Sequence, residues 1–467
     1  MCRSSSKKHL PHTETGPETS PNERAWGDQS RIRFVLLLVA SVFILAGCAA
    51  WTSASTRPGQ TDPSVDRDGS SWPPSPPAAT TESVAPLESK LIATVTARLP
   101  PTATAAPPAQ GGIGIHGVEV LPLGNGPDGR SLFAVVSQGM RNFSTHQTQF
   151  VAIYAEQGAS GFQQLSQLDL PASDFIGPGT IKEVHLDAQH VWLQVFSSAG
   201  ANSGCFDVLS FDGTRLQDQA HQCLANPNRS HLADVDGDGR LEVILDQSDN
   251  LIFCHACGVA KFRFKVLKWN GSAMSQLDLA PLPSSAPTDR RDPTNRAVQL
   301  AQAGLWKEAE ATISPVQAQA PGDPLIARDA GLIRLYADAF GTQAQKGPYP
   351  LLDDVFYGDY TSALNILRPL TPAQIFSFPT PLIAGTVAHG FEKSLEQQII
   401  TSATLALQAE PDLAAAYYLR GWATYLANPK DPQALRDVAR AAQLAPEDRL
   451  FAESLNYLRG QESANAL

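Results

Sequence analysis

FRFKVLKWNGSAMSQL, residues 262–277, carries the reading of the fold. Aromatic and β-branched residues alternate with polar ones, the pattern of a half-buried strand. Asn270-Gly271 ends the run, and both residues tolerate the positive φ of a two-residue hairpin turn. MSQL then runs back as a return strand. FVAIYAEQGASGFQQL (150–165) and FDVLSFDGTRLQDQ (206–219) share the plan, the latter turning at Asp212-Gly213. A strand precedes each hairpin: LFAVV, VWLQV and LEVIL. The unit therefore recurs about every 55 residues within 113–281.

Three units of three to four antiparallel strands are similar to the blades of a β-propeller. The expected class is an antiparallel, propeller-like β module. Propellers close with about four blades or more. Three units thus leave an incomplete propeller, a split sheet or a sandwich as outcomes.

The most specific motif precedes the third hairpin. His231-Leu232-Ala233 leads into Asp234-Val235-Asp236-Gly237-Asp238-Gly239-Arg240-Leu241-Glu242, then Val243-Ile244-Leu245. The carboxylates of Asp234, Asp236, Asp238 and Glu242 converge on one point, Gly239 permits the sharp turn, and Arg240 offers its backbone carbonyl. Such a shell of oxygens suits Ca²⁺. An EF-hand would place a bidentate Glu where Leu245 stands, and a helix, not a strand, would follow. The stretch resembles the D-x-D-G-D-G-x-x-[DE] loop of FG-GAP/VCBS repeats. That resemblance implies one structural Ca²⁺ held by Asp234, Asp236, Asp238, the Arg240 carbonyl and Glu242. GNGPDGRSLF (124–133) keeps Asp128-Gly129-Arg130 but has Leu132 in place of Glu242, and LDAQHVW (186–192) keeps less. One site at most survives. The competing reading is an acidic turn with solvated carboxylates.

Six cysteines occur. Cys205, Cys223, Cys254 and Cys257 fall in the β region, and four cysteines allow three pairings. Cys205 and Cys223 flank the Asp212-Gly213 hairpin and Cys254-His255-Ala256-Cys257 forms a tight turn, which favours 205–223 with 254–257. Strand-like sequence on both sides of the CHAC run speaks against a thioredoxin-like pair, which needs a helix N-terminus. A zinc site at Cys254, His255 and Cys257 lacks a second ligand pair of suitable spacing.

From Thr288 to Leu467 the period becomes helical, rich in Ala, Leu, Gln and Glu. Gly304-Leu305-Trp306 with Ala309, then Gly358-Asp359-Tyr360 with Ala363, repeat a G-x-aromatic-x-x-A cluster. Ala406-Leu407 leads to Pro411, which ends one unit, and Tyr417-Tyr418 with Gly421-Trp422-Ala423 begins another that closes at Pro446. These spacings resemble the tetratricopeptide repeat, which implies stacked helix hairpins and a partner-binding concave face. Residues 414–446 fit best. Pro315 is expected to end its helix early, prolines 369, 372, 379 and 381 interrupt the middle, and 448–460 is expected as a terminal helix. The alternative is an irregular helical bundle. Trp306, Tyr360 and Trp422 are expected to be packing aromatics.

The N-terminus reads as an address. Arg31 and Arg33 precede FVLLLVASVFILA (34–46), a positive n-region and a short apolar h-region. Leu45-Ala46-Gly47-Cys48 closes it and resembles the lipobox of bacterial lipoproteins. The resemblance implies removal of 1–47, with Cys2, and a diacylglyceryl thioether on Cys48. Residues 48–112, including WPPSPPAATT and RLPPTATAAPPAQGG, read as a Pro/Thr/Ala-rich spacer without a core. As a coil it would reach about 45 Å. The setting is then extracytoplasmic and lipid-anchored, where disulfides persist.

Across 467 residues the net charge is −11, and no basic run marks a nucleic-acid binder. No G-x-S-x-G, H-E-x-x-H, P-loop or G-x-G-x-x-G occurs. The sequence therefore points away from catalysis. It points toward a membrane-anchored binding or scaffold lipoprotein that engages an envelope protein or peptide. A Ca²⁺-stabilised carbohydrate or cell-wall binder comes second, and a hydrolase with a non-standard site third.

Overall fold

The computed structural model describes residues 84–99, 114–126, 128–140, 148–158, 161–199, 203–225, 229–251, 258–385 and 388–465. The LAGC motif with Cys48, and Cys254, His255 and Cys257, lie outside the described residues. The described residues fall in one compact unit, 79–467.

A helix opens it, α1 (Val84–Thr96), inside the stretch read as spacer. Its cause is legible afterwards: Leu87, Leu91, Val95 and Leu99 recur every four residues and pack on Val118, Phe133, Val135 and Tyr154.

The strands follow as β1 (Gly114–Asn125), β2 (Ser131–Met140), β3 (Gln149–Glu156), β4 (Phe162–Leu170), β5 (Phe175–Ile176), β6 (Ile181–Val184), β7 (Val191–Ser198), β8 (Ser203–Phe211), β9 (Leu216–Ala225), β10 (His231–Ala233), β11 (Glu242–Asp246), β12 (Asp249–Leu251), β13 (Val259–Lys261), β14 (Phe264–Trp269) and β15 (Met274–Leu277). Each of the three hairpins forms, as β3-β4, β8-β9 and β14-β15. Each is joined by its expected preceding strand, β2, β7 and β11. All these pairings are antiparallel. Their mutual arrangement was not legible in the sequence. The two-residue β5 pairs with both β2 and β7, so the first two units merge into one curled sheet, a half-barrel, in the order β4-β3-β2-β5-β7-β8-β9. The third unit forms a separate sheet, β10-β11-β14-β15. Propeller blades are separate sheets set radially, whereas here two units share one hydrogen-bonded sheet.

Asp187 ties the two sheets together. It accepts from Trp192 Nε1 of β7 at 3.1 Å and from Trp269 Nε1 of β14 at 2.7 Å. The indole rings meet edge to face with centroids 5.0 Å apart.

The helical region comprises α2 (Thr288–Gln302), α3 (Trp306–Gln319), α4 (Pro324–Lys346), α5 (Pro350–Tyr357), α6 (Tyr360–Leu367), α7 (Pro372–Ile375), α8 (Glu392–Ala409), α9 (Ala414–Ala427), α10 (Pro432–Leu444) and α11 (Arg449–Asn465). Asp323 and Asp431 cap α4 and α10 ahead of Pro324 and Pro432, which sit where no intrahelical N–H is needed. Against expectation, α3 runs through Pro315 to Gln319. Pro315 lies in its last turns, and buried Ile313 and Val316 hold the helix in place on either side. The two G-x-aromatic turns touch: Gly358 has φ 86°, and a Cβ there would lie 2.7 Å from Leu305 Cα. Trp422 and Tyr360 are buried, as packing aromatics are. Contacts also join helices that are not consecutive: Trp422 Nε1 of α9 donates to the Ile375 carbonyl of α7 at 2.8 Å. Arg296 of α2 donates to the Ala409 carbonyl at the end of α8, at 3.0 Å, and pairs with Glu410.

Candidate functional site

The acidic loop forms as a turn between β10 and β11. Asp234 accepts from Gly237 N at 2.7 Å and Gly239 N at 3.0 Å, and Asp238 accepts from Arg240 N at 2.9 Å. Glu242 is fully buried and accepts from Val235 N at 2.8 Å. Oxygens of Asp234, Asp236 and Glu242 lie within 4.8 Å of one another, so this donor set fits a hard cation.

A cation of the chain's own already faces it. Val243 pairs with Leu267 across β11 and β14, which brings Lys268 to the loop. Lys268 Nζ donates to Asp236 Oδ2 at 2.5 Å and Asp238 Oδ2 at 2.7 Å, and lies 3.2 Å from Glu242 Oε1. Burial would lower the lysine pKa, but the three carboxylates outweigh it and hold it above its usual value. Burial raises the Glu242 carboxyl, against its bonds from Val235 and Lys268. Calcium enters here only by displacing this ammonium, because two cations in one seat repel. The sequence reading missed Lys268. Lys268 is one of three lysines in KFRFKVLKWNG (261–271), and only its place between the buried Leu267 and Trp269 sets it apart.

The loop also has a mechanical place. A Cβ on Gly331 of α4 would lie 1.7 Å from the Val235 carbonyl oxygen, so loop and helix meet backbone to backbone. The same helix holds the β part at further points. Tyr336 Oη accepts from Phe264 N at 2.9 Å, and the Gln343 amide accepts from Ala260 N at 2.9 Å and donates to Ala260 O at 2.8 Å. Leu332 packs with Ile244 and Val266, and Val259 of β13 sits in the helical core.

Two clefts flank this joint. One, of about 630 Å³, is lined by Arg229, His231, Asp338, Thr342, Gln343 and Lys346. The other, of about 610 Å³, is lined by Asp249, Lys261, Arg263, Asp278, Trp306, Tyr336 and Gln398. Phe262 and Phe264 line both and form the wall between them. Trp306 stacks on Tyr336 with centroids 4.4 Å apart, and Arg229 lies over Phe262 at 5.0 Å. Volumes of this size suit a small ligand or a few residues of a peptide.

Comparison with family models, with curated proteins and with solved structures returns nothing.

Among the predicted cysteines, Cys205 and Cys223 are cross-strand partners on β8 and β9 and are joined by a disulfide. His221 Nε2 lies 3.2 Å from Cys223 Sγ, and its Nδ1 lies 2.5 Å from Asp207 Oδ1. The hydrogen bond to Asp207 raises the His221 pKa against its burial. Arg240 sits exposed at the loop, and its backbone N–H closes the turn by donating to Asp238 Oδ1.

Proposed function

We propose that this chain is an extracytoplasmic binding lipoprotein, tethered through Cys48, that seats a segment of an envelope partner at the joint between its β and helical parts. The observation that carries the reading is the pair of clefts either side of Phe262 and Phe264, with aromatic walls and charges of both signs. The LAGC motif, the Pro- and Thr-rich sequence between it and α1, and the Cys205–Cys223 disulfide support the location. The β part is read as FG-GAP/VCBS-like with one surviving acidic loop, in which Ca²⁺ competes with Lys268. The helical part is read as tetratricopeptide-like, supported by its abutting G-x-aromatic turns. Its α4 face is covered by the chain's own strands, so the binding seat is the joint and not an open concave face.

A saccharide is the second reading, favoured by Trp306 and Tyr336 lining one cleft. Photo-reactive residues at Thr342 and at Gln398, one per cleft, test both. The expected result is one partner peptide crosslinked from a cleft position and none from Arg449, which is 89% exposed and outside the clefts. Labelling that is equal at all three positions, or absent, overturns the protein-partner reading. Selective binding on a glycan array, abolished by Trp306→Ala, would establish the saccharide instead.

A further inference from the structure

We propose that Asp207, Asp218 and His221 form a divalent metal site of the zinc class on β8 and β9. Strand register brings the three side chains together. Asp207 pairs with His221 and Val208 with Ala220, but Leu209 pairs with Asp218, which makes a bulge at Gln219. Without the bulge, Asp218 would point to the face opposite His221. With it, Asp218 shares the face of Asp207 and His221, and re-aiming one side chain is what such bulges do beside functional sites.

Asp207 also holds an unanswered oxygen. Asp207 is 2% exposed; its Oδ1 meets His221, while its buried Oδ2 has no hydrogen-bond partner. A buried carboxylate oxygen left alone is costly, and a cation answers it. Asp207, Asp218 and His221 line one hollow of about 150 Å³, and their donor atoms lie within 4.8 Å of one another.

Chemistry selects the ion. One imidazole and two carboxylates suit Zn²⁺ better than Ca²⁺, which prefers an all-oxygen shell. The nearby sulfurs are not available as ligands, because Cys205 and Cys223 are bonded to each other. Three protein ligands leave a fourth position for water, the mark of an open zinc site.

The test is Zn²⁺ binding by the purified, non-reduced full chain, read by equilibrium dialysis and X-ray absorption. One ion per chain at micromolar zinc is expected, with nitrogen and oxygen neighbours only. Asp218→Asn removes an exposed carboxylate, so the fold is not at risk, and affinity should fall roughly tenfold or more. His221→Gln should do the same, and Asp236→Asn in the acidic loop should change nothing. The proposal is overturned if no zinc is retained, if sulfur appears among the neighbours, or if Asp236→Asn is the variant that loses the ion.

Discussion

Lys268 shows how one side chain can take the part assigned to an ion. Its ammonium faces Asp236, Asp238 and the fully buried Glu242. Lys268→Met leaves those carboxylates facing one another without a counter-charge, and the expected loss is about 3 kcal/mol. Millimolar Ca²⁺ should recover part of that loss in the variant, while the melting temperature of the zinc-free wild type stays indifferent to added Ca²⁺. A zinc-free wild type that gains as much stability from Ca²⁺ as the variant does would show that Ca²⁺, not Lys268, is the cation this loop takes. Two other buried acids contribute to the pH response. Asp353 and Glu396 have both carboxyl oxygens unpartnered, and burial pushes each pKa up to about 7. Folded values above unfolded ones mean that both favour the fold at low pH. That contribution falls away as the pH rises from about 4 through about 7. At roughly 1.4 kcal/mol per pKa unit, Asp353→Asn and Glu396→Gln should therefore gain stability over wild type at pH 8 relative to pH 5. Urea titrations at the two pH values check it, and an equal difference at both would refute the assignment.

Helix α4 is the element that decides the architecture. One stripe of it carries Arg328, Gly331, Leu332, Tyr336 and Gln343, and each meets the β part or the segment leading out of it. On a free helix Gly331→Ala would gain up to about 1 kcal/mol. Here the added methyl meets the Val235 carbonyl, so a net loss of about 2 kcal/mol is expected instead. Denaturant unfolding measures the sign directly. A stabilised Gly331→Ala variant would mean that the loop and helix do not touch. The element scale also marks where reading from sequence worked. Asp212-Gly213 and Asn270-Gly271 announce their hairpins because turn chemistry is local. The strand β5 has two residues, too few for any periodicity, yet it joins two units into one sheet. The stripe of α1 was overshadowed by flanking Pro- and Thr-rich sequence. Pro315 misled because its cost depends on the packing of Ile313 and Val316, which no local rule contains.

At the scale of the whole molecule, the β and helical parts share their apolar surface. Val259 belongs to the helical core, and Leu332 belongs to a cluster with Ile244 and Val266. Residues 284–467 expressed alone would expose Leu332, Leu335 and Tyr336 to water. The expected result is dye binding typical of exposed apolar surface and a broad, non-cooperative melt. Co-expression with 79–283 should restore a sharp one. A cooperative, dye-free helical fragment would show that the two parts fold independently and that the joint is incidental.

What the sequence determined by itself is what short-range chemistry encodes. Alternation sets the strands, Gly and Asn set the turns, helical spacing sets the second half, and the Asp234–Glu242 run sets an acidic turn. Tertiary structure alone decided that two units share one sheet and that Lys268 enters the acidic loop. It alone placed the clefts at a joint made by α4, and gathered Asp207, Asp218 and His221 on one face. The reason is physical: each of these depends on strand register or on close approach between segments distant in sequence, and neither leaves a periodic trace along the chain.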